Sequence, residues 1–163
     1  MKYLKVLPLL LAAAFLLVRP DAYAQSKAYT VQITAVKPDA SCSISTNTIT
    51  LALGSVTIPW SGSASSGLKS VQVDVSYTNT TSIQASINKT SYSWDTGKIT
   101  ASVFVTDNAT ATTGTGSVTK SVSGSGSAQT ASFYIKGTGT VQAGATPGNY
   151  SDNTGNFSVS CSN

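Results

Sequence analysis

Apolar side chains recur at every second position in one stretch after another of this chain, and nowhere at helical spacing over three turns. A two-residue period sends successive side chains to opposite faces, so it marks a strand with one buried face. In SVQVDVSYT, Val71, Val73, Val75 and Tyr77 share one face, and Gln72, Asp74 and Ser76 share the other. SIQASI repeats the pattern with Ile83, Ala85 and Ile87, and KITASVFVT with Ile99, Ala101, Val103 and Val105. TASFYIKG supplies Ala131, Phe133 and Ile135, and the last run supplies Phe157, Val159 and Cys161. Thr, Val, Ile and Tyr fill these runs, residues that suit a pleated, half-buried surface. Gly, Ser and Asn turns separate them, and short strands so divided build an all-β sandwich.

One run breaks its own phase. In CSISTNTITLALG, Cys42 and Ile44 are even-numbered, whereas Ile49, Leu51 and Leu53 are odd. A one-residue slip moves side chains to the other face, so the strand must bend, bulge or change sheets near Ser45–Thr48. First strands of immunoglobulin-like sandwiches do this. Counted from there, six strands are expected: Cys42–Leu53, Lys69–Thr78, Thr81–Asn88, Ile99–Thr106, Thr130–Lys136 and Gly155–Cys161. The Gly/Ser/Thr stretch from Ala109 to Ser127 reads as a mobile loop, with an irregular edge strand near Ser117–Val122.

The first residues read as an address. Lys2 and Lys5 precede an apolar run from Val6 to Val18, and Ala22-Tyr23-Ala24 gives a small-x-small site before Gln25. That is the pattern of a secretory signal peptide spanning 1–24. The remaining 139 residues (163 minus 24) suit one domain and contain no Glu and no His. Seven Lys face five Asp there, for a net charge of +2 (7 minus 5), and the Lys are scattered singly. No basic stripe exists to neutralise phosphates, so no nucleic-acid partner is expected. Two cysteines in an exported chain predict a single disulfide, Cys42–Cys161.

The inventory also speaks against catalysis. Without His or Glu, neither a Ser–His–Asp triad nor a Cys–His pair can be built. Imidazole ligands for zinc are likewise missing, and no catalytic residue, metal site or cofactor is expected. Asp152, Asn153 and Asn149 match no calcium-loop spacing and read as turn chemistry. Trp60, Trp94 and Tyr92 read as plugs at the ends of the sandwich, or in the alternative as a sugar-stacking surface.

An immunoglobulin-type sandwich needs a seventh strand beside the sixth, and the six-strand count supplies none. Ahead of the first strand, AYTVQITAV places Tyr29, Val31, Ile33 and Ala35 on one face with no evident partner. The surplus matches the deficit. That is the logic of strand donation between copies, with Phe157 and Val159 lining the acceptor groove. A head-to-tail contact of this kind does not close on itself, so repetition gives a fibre.

CSISTNTITLALG resembles the cysteine-led first strand of spore-coat-U-like pilins, the archaic class of chaperone–usher subunits. ATPGNYSDNTGNFSV resembles their last-strand motif, a Gly-x-Tyr-x-Asp turn leading into an alternating strand. In that family the first cysteine commonly pairs with one in the second-strand region, whereas here the second cysteine is Cys161. The resemblance implies an incomplete, six-stranded immunoglobulin-like sandwich at 38–163, preceded by a donor-strand extension at 25–37. It also implies neighbouring subunits, a periplasmic chaperone and an outer-membrane usher as partners. The fibre would stand on the cell surface and serve adhesion and biofilm formation. The alternative is a secreted β-sandwich binding module, for example for carbohydrate, in which AYTVQITAV folds back onto its own sheet.

Overall fold

The alternating runs become strands wherever a second run of matching phase lies alongside them. The computed structural model describes residues 32–33, 38–46 and 48–163. The leader expected at 1–24 and the expected donor residues Tyr29, Val31 and Ala35 lie outside the described residues. Nine strands form in the described part: β1 (Ser41–Ile44), β2 (Ser63–Ser65), β3 (Lys69–Thr78), β4 (Ser82–Ile87), β5 (Ser91–Trp94), β6 (Ile99–Thr106), β7 (Ser117–Ser121), β8 (Gln129–Gln142) and β9 (Phe157–Ser162).

They make an all-β, incomplete immunoglobulin-like sandwich of two antiparallel sheets. The larger sheet has the order β1-β3-β8-β6-β5, with β2 also pairing with β8; the smaller has the order β7-β4-β9. Register keeps apolar faces together. Val75 opposes Ala131, Val73 opposes Phe133 and Val71 opposes Ile135, so cross-strand neighbours share the buried side. Across the sandwich, Ile83 and Ala85 of β4 meet Val75, Tyr77, Val105 and Phe133 in one core cluster. Phe133, Ile83, Val73 and Val75 are fully buried.

The strands differ from the six expected in ways that have physical causes. The first stops at Ile44, and its last in-register contact is the Ser45 N–H and hydroxyl on the Asp74 carbonyl (3.2 and 2.7 Å). β8 runs past Lys136 to Gln142, through Gly137 and Gly139. Those glycines occupy inward positions where an apolar side chain would otherwise continue the pattern, which hides the strand from a hydrophobic period. The short strands β2 and β5 form by pairing with β8 and β6.

The Gly/Ser/Thr stretch is also more ordered than a mobile loop. Its Ser117–Ser121 segment is β7, laddered to β4 from Ser82↔Ser121 to Ser86↔Ser117. Upstream, the buried Lys136 donates from Nζ to the carbonyls of Ala109 and Ala111 and fastens that part to the larger sheet. An ammonium removed from water needs such acceptors. Trp60, read as a plug, is instead fully exposed.

Candidate strand-acceptor groove

The smaller sheet is unfinished on one side. β9 pairs with β4 through six residues, from Phe157↔Ile87 to Ser162↔Ser82, and is the edge of its sheet. Inward alternation along β9 turns Phe157, Val159 and Cys161 toward the core cluster.

The run that follows β1 shares a cavity lining with Phe157 at the start of this edge. Residues 48–58 belong to no strand, and among the described residues they make no backbone–backbone hydrogen bond. They nonetheless keep the period of a strand. Ile49, Leu51 and Leu53 are half-buried while Thr48, Thr50 and Ala52 are exposed. Gly54, at φ +82°, then shifts the phase, and Val56 and Ile58 become the half-buried pair. A positive φ of that size costs an L-residue side-chain strain that glycine escapes.

Side chains hold this run in place. Leu51 and Leu53 lie over Gly137 and Gly139 of β8. A Cβ on Gly137 would come within 2.8 Å of the Ser102 carbonyl oxygen and 3.0 Å of Leu51 Cδ2, and one on Gly139 within 3.5 Å of Leu53 Cδ1. The two glycines are the seats of the two leucines. This run lines a cavity of about 1270 Å³ together with Phe157 of β9 and most of the loop before it, over a floor of Ala101, Val103, Ile135 and Val141. An apolar floor open to water is unfavourable by roughly 25 cal/mol per Å².

Both ends of the groove are defined. At one, Cys42 of β1 is bonded to Cys161 of β9, with their Cα atoms 6.0 Å apart. At the other, Tyr92 and Trp94 stack at 5.9 Å between centroids and 12° between planes, and Tyr150 tilts against Trp94 at 6.5 Å. The loop before β9 is fastened there. The Asp95 carboxylate accepts from the Thr146 N–H (2.7 Å) and hydroxyl (3.2 Å), and Lys98 Nζ donates to the Gly144 carbonyl (2.7 Å). Lys89 Nζ donates to Asp152 (2.8 Å) and stands 4.6 Å from the Tyr92 ring centroid. The Lys89 hydrogen bond, helped by the Thr154 hydroxyl and N–H, holds the Asp152 carboxyl at a pKa of about 2.

The structure sorts the residues singled out in the sequence. Cys42 and Cys161 form the expected bond. Phe157 lines the cavity, while Val159 packs on the core beside it. Ile33 is 87% exposed. Tyr92 and Trp94 come together, but Trp60 is not among their stacking partners. The carboxylates near the aromatic pair are hydrogen-bonded to Thr146, Lys89 and Thr154, which clasp the loop before β9 to this end. Asp152 accepts from the Thr154 N–H at 2.7 Å, the turn chemistry expected of it.

Sequence reasoning missed the site roles of Leu51, Leu53, Gly137, Gly139 and Tyr150. One signal was present: Gly137, Gly139 and Val141 continue the phase of Ala131, Phe133 and Ile135. No protein-family model matches the chain, and no curated protein matches it.

Proposed function

We propose that this protein is the structural subunit of a surface fibre in which each copy donates a strand to the groove of the next. The observation that carries the reading is a cavity with an apolar floor, lined on one side by the unladdered residues 48–58 and reaching Phe157 at the start of the β9 edge. A strand placed between them finds hydrogen-bonding groups on both sides and a floor for alternate side chains. In this reading the donor is Ala28–Val36 of a neighbouring copy, with Tyr29, Val31, Ile33 and Ala35 turned inward. Nine extended residues reach about 30 Å, ample for the six-residue edge of β9. Donor and acceptor are different surfaces, so the contact repeats without closing.

The resemblance to spore-coat-U-like pilins supports the remainder. The leader at 1–24 directs export to the periplasm, a chaperone lends a strand until assembly, and an outer-membrane usher polymerises the subunits. The product is a cell-surface fimbria serving adhesion and biofilm formation, with no catalytic step, no cofactor and no nucleic acid.

Ile33→Asp in the full chain tests this. It sends an unpaired charge into a neighbour's groove, at a cost of several kcal/mol for each junction. The expected result is loss of fibres in electron micrographs while the circular dichroism of the soluble subunit stays that of the wild type. Fibres as abundant as in the wild type would overturn the reading. Unfolding of the protein that carries the change would show the segment acting within its own chain.

A further inference from the structure

We infer that Lys120 keeps the β7 edge of the smaller sheet from pairing, so that a copy offers an incoming strand only its β9 side. What the β9 side receives rests on the donor-strand reading above; the closing of the β7 side does not. The smaller sheet has two edges, β7 and β9. Among the described residues, β7 is laddered to β4 alone, from Ser82↔Ser121 to Ser86↔Ser117. The larger sheet is also unfinished there. β6 ends at Thr106, opposite Tyr134, so Ala131, Ser132 and Phe133 of β8 are laddered only to β3. Val118 and Thr119 are strand formers that suit β7 to a further partner. An open edge of this kind pairs with another chain unless something prevents it.

The two edges differ in charge. β9, FSVSCS, has none, and the two charged residues lining the cavity it borders, Lys89 and Asp152, are joined at 2.8 Å. A strand entering on that side meets no unpaired charge. On β7, Lys120 shares the parity of Val118, which packs on the core cluster, so its side chain is also turned between the layers. Its Nζ stands 5.9 Å from the Phe133 ring centroid and donates to the Ser132 carbonyl at 3.5 Å, where β8 has lost its β6 neighbour. Among the described residues Lys120 forms no ion pair. The side chain is half-buried, with its stem inside and its ammonium at the rim, where water completes its hydrogen bonds. A strand laid along β7, about 4.8 Å further out, would cover that rim. One long hydrogen bond and one aromatic face do not replace the lost water. Pairing at β7 is therefore unfavourable, pairing at β9 is not, and each copy has a single acceptor side.

The test places p-benzoylphenylalanine at Thr119, on the outer face of β7, in full chains that keep Lys120 or carry Lys120→Arg or Lys120→Met. Each is mixed with isotope-labelled copies, irradiated at equal concentration, and its intermolecular products are located by mass spectrometry. Lys120→Met keeps the stem over Phe133 and loses the charge, so it should yield a product joining the Ser117–Ser121 segments of two copies. Lys120 and Lys120→Arg should not. A folded Lys120→Met chain without that product overturns the inference, and so does the same product at equal yield from either charged chain. If circular dichroism shows Lys120→Met unfolded, Lys120→Gln is read by the same two outcomes. Failure of the donor-strand reading shows elsewhere, as wild-type chains that form no fibres, and leaves this contrast standing.

Discussion

The two halves of this sandwich are built from the same kinds of residue but finished differently. Around the disulfide, both layers are present and strands face strands; Phe133, Ile83 and Val75 have no exposed surface. Toward Tyr92 and Trp94, the larger sheet continues through β6 and β8, but opposite it stands a run of chain with no ladder. Leu51 and Leu53 are half-buried there, although leucine is as apolar as anything in the closed half. Burial in the closed half follows from pairing. In the open half it follows from two leucines resting on two glycines, which fixes a backbone without using its hydrogen bonds. An acceptor needs that combination of position and vacancy, and a complete core cannot supply it.

The comparison breaks most visibly if a closed-half residue proves dispensable. Phe133→Ala should lower the unfolding free energy by about 3–5 kcal/mol, since the cavity left in a packed core cannot relax away. Urea denaturation followed by tyrosine and tryptophan fluorescence measures it. A loss below 1 kcal/mol would mean that the closed half is no tighter than the open one.

Gly137→Ala probes the seam between the halves. The added methyl meets the Ser102 carbonyl and Leu51, so about 1–3 kcal/mol should be lost through overpacking. In the donor-strand reading, fibre formation should fall as well, because Leu51 is pushed from its seat. Leu51→Ala has a smaller expected effect on the subunit, near 1 kcal/mol for a half-buried side chain. Its effect on assembly should exceed its effect on stability, and measuring both in one variant sharpens the contrast.

The smallest effect concerns pH. Asp152 is held at a pKa of about 2 by the Lys89 hydrogen bond, with the Thr154 contacts next. Its folded value lies below the unfolded value near 3.9, so its contribution is complete above that pH and is lost as pH falls toward 2. Carboxyl carbon shifts in an acid titration should show Asp152 as one of the last groups to protonate. In Asp152→Asn the unfolding midpoint should vary less between pH 4 and pH 2 than in the wild type. Asp74 is also held low, by the Ser132 hydroxyl and then the Gln72 amide, and it supplies a reference on the outer face of the larger sheet.

Much of the closed half was legible in the sequence. Lys69–Thr78 and Ile99–Thr106 are strands over the spans their alternation marks, and Thr81–Asn88 is trimmed by one residue at each end. The phase break at Ser45–Thr48, expected as a bend or a change of sheet within one strand Cys42–Leu53, falls instead where β1 ends. The open half was less legible. Ile49, Leu51 and Leu53 alternate as faithfully as Val71, Val73 and Val75, yet only the second set lies in a ladder. Alternation reports which face is apolar and is silent about whether a neighbour exists to bond the backbone. Gly137 and Gly139 misled in the opposite direction, because a strand that must leave room for leucines carries no hydrophobic signal of its own. The edge strand expected near Ser117–Val122 is present as β7, Ser117–Ser121, although it has one apolar residue in five; its pairing with β4 makes it a strand.

The sequence by itself determined the class of fold, because a period of two can bury apolar side chains only on sheets. It also led to the expectation that the two cysteines would meet, and Cys42 and Cys161 are bonded. Only the tertiary structure decided where the second layer stops. That boundary depends on which long-range partner reaches each backbone, on two glycines that seat two leucines, and on a disulfide that holds the flanks 6.0 Å apart at one end. Each is a distance between residues far apart in the chain, and local patterns of hydrophobicity carry no record of it.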